Sequence, residues 1–108
     1  MNQKELDELN RQFSKASAEE VFQYAVNKFG KKLTLASSLG VEDQVLTHMF
    51  TNETNSVDVF LLDTGRLHQE TYNVIEKTMT QYAFNYRIFF PDKDDVQHMV
   101  ETHGPNHF

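Results

Sequence analysis

The sequence predicts an α/β fold, a parallel sheet of about three strands with flanking helices. Three observations carry that prediction. Short apolar runs alternate along the chain with stripes of helical spacing, the order expected of crossover connections. The run "VDVFLL" (57–62) is apolar at nearly every position, as a strand covered on both faces would be. Finally, "KLTLA" hands over to a helix through "SSLGVED", a cluster of small residues followed by two acids.

Taken in order, Leu6, Leu9 and Phe13 recur at helical spacing and predict a mostly polar first helix over 3–14. Ser17 with Glu20 is the pattern of a capping box and opens a second helix. Its apolar side is Val21, Phe22, Tyr24, Ala25 and Phe29, and Gly30 stops it. "KLTLA" (32–36) is a short strand, and a helix follows over 42–50 with Val45, Leu46 and Met49 on its apolar face. After the second strand, "DTG" breaks the chain and a helix over 67–82 carries Leu67, Tyr72, Ile75 and Met79 as its core stripe. "FNYRIFF" (84–90) alternates as a strand, with Phe84, Tyr86, Phe89 and Phe90 expected in the core. Pro91 closes it, and Asp94 or Asp95 starts a last helix before "HGPNHF".

Composition excludes several classes. The chain has 108 residues, 39% apolar and 24% charged, which is the balance of a soluble domain. No apolar run reaches the ~20 residues of a membrane span. The N-terminus lacks the basic-then-apolar order of a signal peptide, so the cytoplasm is the expected compartment. With no Cys, the chain offers neither disulfides nor a thiol nucleophile. A net charge of −6 argues against a nucleic-acid partner.

In a parallel α/β sheet, ligands bind beyond the carboxyl ends of the strands, where "SSLGVED" and "DTGRLH" both fall. Gly40 allows a tight turn and close approach of a ligand, the following helix start offers N–H donors, and Ser37 and Ser38 add hydroxyls. Glu42 and Asp43 suit the helix dipole, which is a sufficient role for both. Asp63 either orients a ribose hydroxyl or caps the turn, while Thr64 and Gly65 either contact the ligand or shape the loop. Arg66 either meets an anion or is a solvated surface residue. His68 either touches a ligand or sits exposed in a first helical turn, and His48 is a packing or surface residue. His98, His103 and His107 are not expected to bind metal, because Gly104 and Pro105 break the helix between the last two.

Together "SSLGVEDQVLTHM", "FLLDTGRLHQETYNVIE" and "HGPNHF" resemble the N-terminal half of the assimilatory sulfonucleotide reductases, which reduce adenylyl sulfate (APS) or phosphoadenylyl sulfate (PAPS) to sulfite. The resemblance covers about residues 18–108 and is most specific in "LDTGRLHQETY". It implies a Rossmann-like sheet of the adenine nucleotide alpha hydrolase (PP-loop) type. Residues 1–108 would then be a single, incomplete nucleotide-binding domain, with N-terminal helices over 1–30 and a βαβαβα core over 31–108. By resemblance, Ser37, Ser38, Leu39 and Gly40, with Glu42 and Asp43, line the phosphosulfate side of the crevice, and Leu62, Asp63, Thr64, Gly65 and Arg66 line the adenosine side. The related ATP pyrophosphatases carry "SGGxDS". Here the paired Gly is missing and Glu42-Asp43 replaces Asp-Ser, which counts against ATP cleavage.

Arg66 is nearer the APS-using branch, in which members carry a 4Fe–4S cluster on Cys ligands. Catalysis in the family depends on a Cys near the C-terminus, with thioredoxin or glutaredoxin as electron donor. The chain is therefore expected to bind no cofactor and to be inactive as a fragment. The alternatives are a non-catalytic adenine-nucleotide module and an ATP pyrophosphatase. The family sheet places the first strand centrally. In a truncated sheet "KLTLA" would become an edge protected only by Lys31 and Lys32, which predicts a homo-oligomer.

Overall fold

The computed structural model describes residues 1–53 and 57–107. Phe108, the last residue of the terminal motif, lies outside them. The elements are α1 (Gln3–Gln12), α2 (Ala18–Phe29), a 3-10 turn (Gly30–Lys32), β1 (Thr34–Ala36), α3 (Val41–Glu53), β2 (Asp58–Leu62), α4 (Gln69–Tyr82), β3 (Arg87–Phe89), α5 (Lys93–His103) and a closing 3-10 turn (Pro105–His107). The order is the one the periodicities predict.

The helix starts follow their caps. At α1 the Asn2 side chain accepts from the Glu5 N–H at 2.9 Å and the Glu5 carboxylate accepts from the Asn2 N–H at 2.8 Å, a reciprocal box. Ser17 accepts from the Glu20 N–H at 3.2 Å to start α2. Asp92, two or three residues before the acids predicted for this role, accepts from the N–H groups of Asp94 and Asp95 to start α5. At the end of α4 the chain turns through Ala83 in the left-handed region, φ 53° and ψ 47°.

The strands pair in parallel in the order β1-β2-β3, with Leu35 opposite Val59 and Leu61 opposite Ile88. Among the described strands β2 is central and β1 lies at an edge. The core gathers Phe22, Leu35, Phe50, Val59, Leu61, Ile75 and Tyr86. Phe22 of α2 meets Phe50 of α3 edge-on, ring centroids 4.3 Å apart.

This order corrects the expectation that β2 is covered on both faces. Both crossovers, β1-α3-β2 and β2-α4-β3, step the same way across the sheet, and right-handed connections of that kind put both helices on one face. Val59 and Leu61 point into that face and are 3% exposed, whereas Leu62 is 67% exposed and Phe89 47%. The second face therefore carries an uncovered apolar stripe. Phe89 and Phe90 are correspondingly not core, although Tyr86 and, in part, Phe84 are. Helix faces shift too. Val45 is exposed on α3, whose buried side is Thr47 and Phe50 with Leu46 and Met49 partly covered, and on α2 Val21 and Phe29 are exposed while Val26 packs on the core.

The resulting molecule is extended, with a radius of gyration of 17.9 Å against about 13 Å for a compact domain of this length. Its accessible surface is 8260 Å², whereas a folded monomer of 12.6 kDa exposes about 6,200 Å².

Candidate functional site

The carboxyl end of β1 runs one residue past the strand. The Ser37 N–H donates to the Phe60 carbonyl at 2.8 Å, which draws Ser37 into the interior, where it is 8% exposed. Its Oγ accepts from the Leu39 N–H at 3.1 Å, and this short link holds Leu39 at φ 65°. The left-handed residue of the loop is therefore Leu39, not Gly40. What Gly40 provides is room. A Cβ there would stand 3.3 Å from Ser38 Oγ and 3.6 Å from Glu42 Oε2. The Gln44 N–H then donates to the Gly40 carbonyl at 2.9 Å and begins the repeat of α3.

Asp43 does more than complement the helix dipole. Its Oδ2 accepts from both the N–H and the Oγ of Ser38, each at 2.6 Å. The Ser38 hydroxyl and then its backbone N–H hold the Asp43 carboxyl below its usual value, against a smaller opposing effect of burial. Glu42 is exposed at the rim.

At the end of β2 the Asp63 N–H donates to the Phe89 carbonyl at 2.9 Å, again one residue past the ladder. Asp63 is 6% exposed, and its Oδ1 accepts from the Gly65 N–H at 2.7 Å and from the Tyr72 hydroxyl at 3.0 Å. Burial, then the hydrogen bond to Asp63 and its charge, push the Tyr72 hydroxyl above its ordinary value. The turn-capping reading of Asp63 is thus satisfied within the chain. Gly65 sits at φ 84°, and the Arg66 N–H donates to Thr64 Oγ1 at 3.3 Å. Arg66 and His68 are exposed at the same rim.

Two crevices open where the strands end, sharing Leu62. One, about 430 Å³, is lined by Ala36, Ser37, Ser38, Asp43, Phe60, Leu61 and Leu62. The other, about 280 Å³, is lined by Leu62, Asp63, Thr64, Phe89, Phe90 and Pro91. The fold thus brings Ser37, Ser38, Asp43, Leu62, Asp63 and Thr64 together, while Leu39, Gly40, Glu42, Gly65 and Arg66 fall outside these two linings. A larger hollow of about 540 Å³ lies by Ala83 at the end of α4, away from both loops. Sequence reasoning placed Tyr72 only in the core, and did not assign Phe60, Phe89, Phe90 or Pro91 to the site. The signal for the last three was the strand end itself, which in this fold opens on the same side as the loops.

The histidines lie elsewhere or at the rim. His48 Nδ1 is 3.0 Å from the Tyr82 hydroxyl and its Nε2 is 3.0 Å from Asn52 Nδ2, so it ties α3 to α4. The rings of His103 and His107 are 5.7 Å apart. Among the described residues no group of three His, Cys, Asp or Glu is placed to hold a metal ion, and no helix is long and apolar enough to cross a membrane.

The family model described as "Phosphoadenosine phosphosulfate reductase domain" matches residues 32–108. Adenosine 5'-phosphosulfate reductase of Burkholderia cepacia is 39% identical over 77 residues, covering 71% of this chain and 31% of that protein. Phosphoadenosine 5'-phosphosulfate reductase of Photobacterium profundum is 35% identical over 85 residues, 79% of this chain and 34% of that protein. The chloroplastic 5'-adenylylsulfate reductase 3 of Arabidopsis thaliana is 34% identical over 100 residues, 93% of this chain and 22% of that protein. The chain thus spans about a third or less of the relatives it matches. It belongs to the phosphoadenosine phosphosulfate reductase domain family, which has the PP-loop nucleotide alpha hydrolase fold.

Proposed function

We propose that this chain is the adenine-sulfonucleotide-binding part of a reductase that converts adenylyl sulfate or phosphoadenylyl sulfate to sulfite in sulfate assimilation. The observation that carries the reading is the convergence of two loops at the carboxyl ends of neighbouring parallel strands, within the region matched by the family. In this reading Ser37, Ser38, Leu39 and Gly40, with Glu42 and Asp43, face the phosphosulfate, and Leu62, Asp63, Thr64, Gly65 and Arg66 run along the adenosine. Both donors of Ser38 are held by Asp43, so a phosphate oxygen reaches them only by displacing that carboxylate.

Reduction requires a thiolate to attack the sulfuryl sulfur, with the S–O bond to the nucleotide phosphate breaking and the nucleotide leaving. A second thiol then releases sulfite, a role that suits thioredoxin or glutaredoxin. None of the 108 residues is Cys, so these residues supply binding and orientation but not the nucleophile. The same fact means that they offer no thiolate ligand to a 4Fe–4S cluster. The open sheet face and the β1 edge further support self-association of the chain.

Calorimetric titration with APS, PAPS, AMP and ATP tests the proposal. Binding of the sulfonucleotides and AMP is expected, with little or none for ATP. Gly40→Val, which crowds Ser38 Oγ, is expected to abolish binding while leaving the circular dichroism spectrum unchanged. Undiminished binding by that folded variant would refute the site, and preference for ATP would favour a pyrophosphatase.

A further inference from the structure

Behind the 37–40 loop, five polar side chains from four parts of the fold meet in the interior: Ser37 after β1, Gln44 and Thr47 on α3, Thr78 on α4, and Tyr86 before β3. Thr47 is 0% exposed, Thr78 5%, Tyr86 6% and Ser37 8%. Neither loop contains Tyr86, and its ring packs edge-on to Phe84 at 4.7 Å, a role a phenylalanine would fill equally well. Yet its hydroxyl is buried, and among the described residues it makes no hydrogen bond of acceptable geometry. The Gln44 Oε1 atom shares that condition. Around the Tyr86 hydroxyl stand the hydroxyls of Thr47, Thr78 and Ser37. A buried hydroxyl without a partner is destabilising, so this arrangement needs a reason beyond packing.

The directions of the neighbouring bonds supply one. Thr47 Oγ1 donates to the Asp43 carbonyl at 2.8 Å and Thr78 Oγ1 donates to the Val74 carbonyl at 2.7 Å. Gln44 Nε2 in turn donates to Thr78 Oγ1 at 3.0 Å. Both threonine protons are committed, so towards Tyr86 each threonine can only accept. Ser37 is the reverse case. Its Oγ accepts from the Leu39 N–H and still has its own proton to give. One arrangement, reached when these hydroxyls come to acceptable geometry, would pair the Tyr86 hydroxyl: Ser37 Oγ would donate to the Tyr86 oxygen and the Tyr86 hydroxyl to Thr47 or Thr78, with Gln44 Oε1 left as it is.

We infer that Tyr86 is a positioning residue for the proposed nucleotide site, orienting the Ser37 hydroxyl so that its lone pair holds the Leu39 N–H and with it the left-handed turn of the loop. The inference rests on the proposed function for its link to nucleotide, but not for its link to the loop. Tyr86 touches no ligand. It acts through Ser37, and α3 and α4 take part because they supply the acceptors. Residue order alone does not reveal this, since Tyr86 reads there as one more aromatic of a strand.

Amide hydrogen exchange on the whole chain separates this role from packing. In Tyr86→Phe the Leu39 amide is expected to exchange about tenfold faster, while the Leu61 amide in central β2 changes less than about twofold. Ser37→Ala should accelerate Leu39 similarly, and the double variant should add nothing further. Should Tyr86→Phe fail to fold, the double variant Thr47→Val/Thr78→Val, which removes both acceptors, is expected to give the same selective acceleration. Equal acceleration at Leu39 and Leu61, or additive effects of the two substitutions, would overturn the inference. A parallel AMP titration is expected to show about tenfold weaker binding in Tyr86→Phe, and unchanged affinity beside a loosened loop would overturn the positioning role. If AMP binds neither protein, the proposed function fails, and the exchange result alone then decides the inference about the loop.

Discussion

Replacing Gly65 by alanine isolates a single physical effect. A Cβ at this position meets nothing within 4 Å, so the substitution creates neither clash nor contact. What it changes is the cost of holding φ at 84°. An L-residue in the left-handed region loses about 1–2 kcal/mol relative to its preferred conformations, and the gain from a stiffer unfolded chain, about 0.4–1 kcal/mol, offsets only part of that. A net destabilisation of about 1 kcal/mol lowers the melting temperature of a domain this size by about 4–8 °C. Thermal unfolding followed by circular dichroism reads the shift. Asparagine tolerates the left-handed region better than other non-glycine residues, so the melting temperatures should rank Gly above Asn above Ala. The turn also carries the Gly65 N–H to Asp63 Oδ1, so nucleotide binding should weaken in the same order. Gly104→Ala, at φ 94° and in neither loop, should cost stability without touching nucleotide binding. If alanine at position 65 melts within about 1 °C of the wild type, the argument from the turn is refuted.

Asp43 sets the acid limb of loop stability. Its carboxyl is depressed from an ordinary value of 3.8, so its contribution is fully present above that value and is lost as pH falls through the lower folded value. The Ser38 amide resonance should follow that loss in an NMR titration, and in Asp43→Asn the dependence should vanish. Persistence in the variant would assign it to another group. Light scattering at micromolar concentration should show dimers or larger species, and Leu62→Lys, which charges the uncovered face, should reduce them. A strictly monomeric wild type would mean that neither the face nor the β1 edge is sticky. Mixed with APS or PAPS and a thiol donor protein, the purified chain should release no sulfite, since it has no Cys. Turnover that survives purification to homogeneity would refute this.

Much of the fold was legible because periodicity and punctuation agree. The alternation of strand and helix, the loops at 37–43 and 62–66, and the cap at Ser17 all follow from residue order alone. The uncovered face was not legible. Leu62, Phe89 and Phe90 are as apolar as core residues, and only the direction of the crossovers decides which face receives helices. The loop hid its details for a similar reason. Gly40 drew the expectation of a tight turn, but the hydrogen bond from Leu39 to Ser37 puts the left-handed angle of that turn on a leucine, which no propensity would nominate. Asp43 read as a helix-dipole residue because its grip on Ser38 depends on a turn back through space. The same holds for Tyr86, whose hydroxyl matters only because three others converge on it.

The one-sided sheet has a consequence for how the chain unfolds. Denaturant sensitivity and the heat capacity of unfolding both scale with the surface newly exposed. A chain that already exposes 8260 Å² when folded, about 2,000 Å² more than its mass calls for, has less left to expose. Its urea transition should therefore be shallower than is usual for 108 residues, and its stability should vary less steeply with temperature. Anything that settles on the bare face would sharpen both, so the steepness of the transition becomes a direct gauge of whether that face is covered.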